Sequence, residues 1–88
     1  MKPETQFFKA VANERRALIL RLLAKRGSLS VGELAALLSL SFKSTSKHCL
    51  LLYNADLVTR RQVALEMIYD INVRHPLLKK SFSVLLDL

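Results

Sequence analysis

The chain contains a single cysteine, Cys49, and only two glycines, Gly27 and Gly32. One thiol cannot build an intrachain disulfide framework, which suits a reducing compartment. Two isolated glycines cannot form the glycine-rich loop that grips a phosphate, so the common nucleotide-binding motifs are excluded. Acidic residues are scarce as well: seven Asp and Glu against fourteen Lys and Arg leave a formal net charge of +7, which favours a polyanionic partner. No long apolar run is present. The longest uncharged stretch, Leu34 to Phe42, is far too short to cross a bilayer. Lys9, Asn13, Glu14, Arg15 and Arg16 interrupt the early apolar positions where a signal peptide needs a continuous core. A cytoplasmic protein with no membrane partner is the expectation.

What the chain does have is apolar surface. Its 88 residues amount to one domain, 1–88, yet 51% of them are hydrophobic. A domain this small buries only about 60 to 65% of its unfolded surface, so part of that apolar surface is expected at an interface with a second subunit.

Phe7, Phe8, Val11 and Ala12 form an apolar stripe on a short first helix, and Asn13 offers a cap for a helix from Glu14 to about Arg26. In that helix Leu18, Ile19, Leu22 and Leu23 are expected to face inward, with Gly27 as the stop. Ser30 and Glu33 fit a capping box for a helix over about 31–38 that buries Leu34, Leu37 and Leu38. Ser41 caps the next helix, from about Phe42 to Asn54, with Thr45, Cys49 and Leu52 on one face. Strand formers then dominate 58–63 and 65–71, with a tight turn at Ala64, which predicts a β hairpin. Pro76 suits the start of a last helix running to Leu88, with Leu78, Phe82, Leu85 and Leu86 at helical spacing.

This order predicts a mainly α protein with a small β hairpin: a winged helix-turn-helix, dimeric through its terminal helices. In such a domain the second helix of the motif enters the major groove and the hairpin reaches sideways to the backbone. That helix must be anchored on one side and present short donors, acceptors and positive charge on the other. Lys43, Ser44, Ser46, Lys47 and His48 are the candidate DNA-contacting residues on it, and Arg60 and Arg61 on the hairpin offer guanidinium forks that match phosphate oxygens. Arg15, Arg16 and Arg21 are read as keeping the outer side of their helix wet. The segments 5–12 and 76–88 are the candidate dimerisation helices, through Phe7, Phe8, Val11, Leu78, Phe82, Leu85 and Leu86. Two reading helices held by such a dimer stand about 34 to 36 Å apart and call for an inverted-repeat operator.

Taken together, FKAVANERRALILRLLAKRG, LSVGELAALLSLSFKSTSKHCLLLYNADLV and TRRQVALEMIYDI resemble the first two helices, the helix-turn-helix and the wing of the ArsR-like (arsenical-resistance-repressor type) regulators. The resemblance covers about Phe7 to Ile71 and implies a dimeric winged-helix transcription regulator, a repressor acting on double-stranded DNA. The polar reading positions of the family fall on Ser44, Ser46, Lys47 and His48. Several positions depart from its pattern: Phe42 stands for a glutamine, Lys43 for a proline, Leu50 for an arginine, Asp56 for a glycine, and Ala64 and Leu65 for the glycine and arginine of the wing tip. Where similar regulators bind metal through Cys-Val-Cys, this chain has Ser30-Val31-Gly32, which brings no thiolate. Their alternative site on the last helix is matched only by Asp87 and the preceding His75. No metal and no cofactor is therefore expected. Cys49, on an apolar seam and without a resolving thiol, is expected to be inert.

An enzyme is not expected, because Ser44 and His48 share an exposed helix face with no buried acid to orient the imidazole. A second reading remains open. Phe42, Leu50, Leu51 and Leu65, if exposed together, make an apolar patch suited to a protein partner rather than to DNA.

Overall fold

Three short polar side chains start three helices, each by accepting backbone N–H groups that the first helical turn leaves without partners. Asn13 Oδ1 accepts from the amides of Arg15 (2.9 Å) and Arg16 (3.2 Å). Ser30 Oγ accepts from Glu33 N–H while the Glu33 carboxylate accepts from Ser30 N–H, both at 3.0 Å, completing the capping box. Ser41 Oγ accepts from Ser44 N–H at 3.0 Å. The computed structural model describes residues 3–78. It contains helices α1 (Pro3–Val11), α2 (Glu14–Arg26), α3 (Val31–Leu38) and α4 (Phe42–Asn54), and strands β1 (Leu29–Ser30), β2 (Val58–Val63) and β3 (Glu66–Ile71).

Helix ends are equally local. Gly27 stops α2 at φ 84°, a left-handed backbone that glycine adopts without steric cost. Ser39 ends α3 at φ 54° and, with Leu40, returns amides to the carbonyls of Ala35 and Ala36, closing the turn between α3 and α4. Asp56 follows α4 at φ 59°, as expected for a residue standing where a glycine is usual, and the Asn72 side-chain amide donates to its carbonyl at 2.8 Å.

The sheet is antiparallel in the order β1-β3-β2. Val58 pairs with Ile71 and Val63 with Glu66, so Ala64 and Leu65 form a two-residue hairpin turn. Ala64 sits there at φ 55°, at a position such turns usually give to glycine. β1 is not expected from the sequence. Two residues carry no alternation, and they become a strand only because Leu29 and Ser30 lie opposite Tyr69 and Ile68.

The core draws on every element: Ala10, Ile19, Leu20, Leu23, Leu29, Leu34, Cys49, Leu52, Val58 and Tyr69 are buried together, with Leu57 from the turn before β2. Some inward positions differ from expectation. Leu20 is fully buried while Leu18 and Leu22 are half-buried, so the buried stripe of α2 is rotated by part of a turn. Leu37 is exposed, and Ala35 is buried in its stead. Leu78, expected at a dimer seam, instead lies in the core of its own chain with 1% exposure. The turn after β3 directs it there: Asn72 N–H donates to Leu57 O, His75 N–H to Asn72 O, and His75 Nδ1 accepts from Leu77 N–H. Of the other dimer candidates, Phe8 is exposed and Val11 is partly buried against the core. The Phe7 side chain and the whole of Phe82, Leu85 and Leu86 lie outside the described residues, as does the expected last helix beyond Leu78.

Candidate nucleic-acid interface

Helix α4 is held by one face and free on the other. Thr45, Cys49 and Leu52 are each fully buried, and the Thr45 hydroxyl donates to Ser41 O at 2.9 Å. At 100° per residue, Lys43, Lys47, Leu50 and Asn54 cluster within about 60° of one another on the side opposite that seam. All four are exposed. Neither Lys43 nor Lys47 has a side-chain partner among the described residues. Ser44 and Ser46 are half-buried on either side of this line.

The two flanks of α4 are occupied by neighbouring elements. His48 leans toward the start of α2: burial and the nearby charges of Arg16 and Arg15 push its pKa below the ordinary 6.5, which favours the neutral imidazole. Its Nδ1 is buried without a hydrogen-bond partner among the described residues. The residue as a whole is half-buried. On the opposite flank Tyr53 receives the Arg60 guanidinium, 3.9 Å above its ring centre. An open groove of about 460 Å³ runs here between the end of α4 and the wing, lined by Tyr53, Asn54, Thr59 and Arg60.

The wing cations are thus both engaged. Arg60 lies on Tyr53, and Arg61 pairs with Asp70 across the hairpin at 3.3 Å. Asp70 also accepts from the Ser28 hydroxyl, which ties the hairpin to the residue just before β1. Arg16, read from the sequence as a solvated surface residue, has a structural role: its guanidinium donates to Ala10 O (2.8 Å) and Lys9 O (2.9 Å), capping the end of α1. The signal is present in the basic residue three places after the Asn13 cap, but its target is set by the angle between two helices.

Cys49 is buried, and desolvation pushes its pKa up to about 12, so the nucleophilic thiolate is scarce at neutral pH. The Ser30 hydroxyl is committed to its cap and Gly32 offers no side-chain donor. Among the described residues no three His, Cys, Asp or Glu side chains come together as metal ligands would, and no helix is long and apolar enough to cross a membrane.

A helix-turn-helix followed by a hairpin wing, with lysines projecting from the second helix, defines a winged-helix DNA-binding domain. Residues 13–60 match the model of the bacterial regulatory proteins of the arsR family. Solved structures agree over nearly the whole chain. Reduced HlyU from Vibrio cholerae N16961 is 35% identical with a TM-score of 0.82, the match covering 94% of this chain and 84% of that one. The transcriptional regulator HlyU from Vibrio vulnificus CMCP6 is 37% identical with a TM-score of 0.80, covering 96% and 84%. The homodimeric winged helix-turn-helix DNA-binding domain of Mb0332 from Mycobacterium bovis is 27% identical with a TM-score of 0.80, covering 93% and 73%. No curated protein matches the sequence. The chain belongs to the arsR family of bacterial regulatory proteins: it is a DNA-binding transcription regulator and not an enzyme.

Proposed function

We propose that the chain acts in the cytoplasm as a homodimeric repressor that occupies an inverted-repeat operator. The observation that carries this reading is the outward line of α4, where Lys43 and Lys47 stand clear of the fold while Thr45, Cys49 and Leu52 hold the helix still. The lysines supply sequence-independent attraction to phosphates, and side chains around Ser44 to Lys47 supply base discrimination. Arg60 and Arg61 extend the positive surface onto the wing. The homodimeric relative from Mycobacterium bovis supports pairing of two copies, with Phe8 and Val11 of α1 together with Phe82, Leu85 and Leu86 as the proposed seam. Two α4 helices about 34 Å apart then meet successive major grooves, and repression follows from blocking the promoter.

Gel retardation across a salt series tests the reading, with random duplex and the promoter of the protein's own gene as probes. The repressor predicts steep salt dependence and a preferred, two-fold symmetric site. A second reading, a winged-helix module that binds protein, draws on the exposure of Phe42, Leu50, Leu51 and above all Leu65, which is 97% exposed at the wing tip. It predicts neither salt dependence nor a preferred duplex.

A further inference from the structure

The outward line of α4 begins with two cations and continues with a hydrocarbon. Leu50, three residues past Lys47 and seven past Lys43, is 46% exposed. At 1.5 Å per residue it lies about 10 Å along the axis from Lys43, so a helix that places both lysines against DNA brings Leu50 to the same groove. The helix cannot roll to hide it. Cys49 and Leu52, on either side in sequence, are fully buried, His48 faces α2, and Tyr53 is covered by Arg60 from the wing. Leu50 is therefore held on the reading line with no donor and no acceptor.

On the major-groove edges of the four base pairs the one methyl group is that at C5 of thymine, the largest apolar feature a side chain meets there. We propose that Leu50 is a specificity-determining residue that selects thymine in each operator half-site by packing against that methyl group. The proposal rests on the DNA-binding reading of α4 and deepens it. Charge favours DNA over an apolar protein as the occupant, because a protein surface covering Leu50 would also desolvate Lys43 and Lys47 without counter-charge, whereas the phosphates beside a thymine supply it. Leu51, 51% exposed, lies to one side of the line toward Ser44 and provides an internal comparison.

The test begins by selecting preferred duplexes from a random pool with the full chain. Each thymine of the selected site is then replaced singly by deoxyuridine, which lacks only the methyl group, and retention is measured. One replacement per half-site should weaken the wild-type chain on the order of fourfold, the effect of exposing one methyl-sized apolar group. Leu50→Ala should bind thymine and deoxyuridine duplexes alike, Leu50→Met should restore part of the difference, and Leu51→Ala should keep it, with circular dichroism confirming that each variant is folded. Wild-type tolerance of deoxyuridine at every position overturns the assignment, as does a penalty that persists in Leu50→Ala or vanishes in Leu51→Ala instead. If the wild-type chain retains no duplex at all, the DNA reading fails and this assignment with it. Retention with full tolerance of deoxyuridine defeats only the role of Leu50.

Discussion

Helix α4 and the β2–β3 hairpin both carry basic side chains, yet they hold them in opposite ways. In α4 three fully buried residues anchor the backbone and leave Lys43 and Lys47 without side-chain partners among the described residues. In the wing the backbone is thinly anchored, with Val58 the one buried position of β2 and Tyr69 that of β3. There it is the cations that are tied down, Arg60 by Tyr53 and Arg61 by Asp70. A rigid rod can present flexible lysines because its own position is already fixed. A two-stranded ribbon is marginal alone, so its arginines are pre-aimed by contacts within the fold.

The largest effect should come from breaking the anchor. Leu52→Ala removes a fully buried side chain shared by α4 and the core, and the expected loss is about 2 to 5 kcal/mol of folding free energy, read by denaturant titration. DNA retention should fall with it. If retention survives a loss of that size, α4 does not need its seam to bind. Lys47→Ala should do the reverse: an unchanged denaturation midpoint, weaker binding to both selected and random duplex, and a salt slope smaller by about 0.9, the value for one phosphate contact. An unchanged slope would remove Lys47 from the interface.

The wing tip offers a gain instead of a loss. Ala64 occupies φ 55°, where a Cβ costs roughly 1 to 2 kcal/mol, while glycine gives back part of that through its freer unfolded chain. Ala64→Gly should therefore stabilise the protein by up to about 1 kcal/mol and raise the melting temperature. The neighbouring Leu65 is nearly all in solvent and should report nothing on stability.

Much of this arrangement is legible in the amino-acid sequence, and what is legible is local. Asn13, Ser30 and Ser41 cap the helices that their positions predict, and Glu14–Arg26 and Phe42–Asn54 end where the turn residues say they should. A cap needs only residues within one turn of itself. The Thr45, Cys49 and Leu52 seam follows from helical spacing alone. Leu20 inside, Leu37 outside, and β1 do not follow, because each depends on the angle at which a second element arrives. The flanks of the site are hidden for the same reason: nothing near His48 in sequence announces Arg15 and Arg16, and nothing near Arg60 announces Tyr53.

His48 makes that long-range contact measurable. Its pKa in the folded chain lies below the ordinary 6.5, so as pH falls through 6.5 the unfolded chain takes up the proton first. Stability is complete above that value and declines as pH drops from 6.5 toward the folded-state pKa. His48→Gln should flatten this part of the stability curve, measured by denaturation at a series of pH values. A slope that persists in the variant would place its origin in another group.

The smallest effect should separate the two wing arginines. Arg61 and Asp70 form a surface pair, the arginine largely in solvent and the acid half-buried, so breaking it should change folding free energy by less than about 1 kcal/mol. The more telling measurement is on DNA. Arg61 cannot hold Asp70 and a phosphate with the same NH group, whereas Arg60 can stay on Tyr53 while its edge reaches outward. Asp70→Asn should release Arg61 without removing the partner of Ser28, tightening binding slightly and steepening the salt slope. Arg61→Ala in the Asp70→Asn background should cancel that gain. If Asp70→Asn weakens binding instead, the pair acts as a brace that aims the wing, and the contrast with α4 becomes sharper: even its exposed charges serve to hold the ribbon in place.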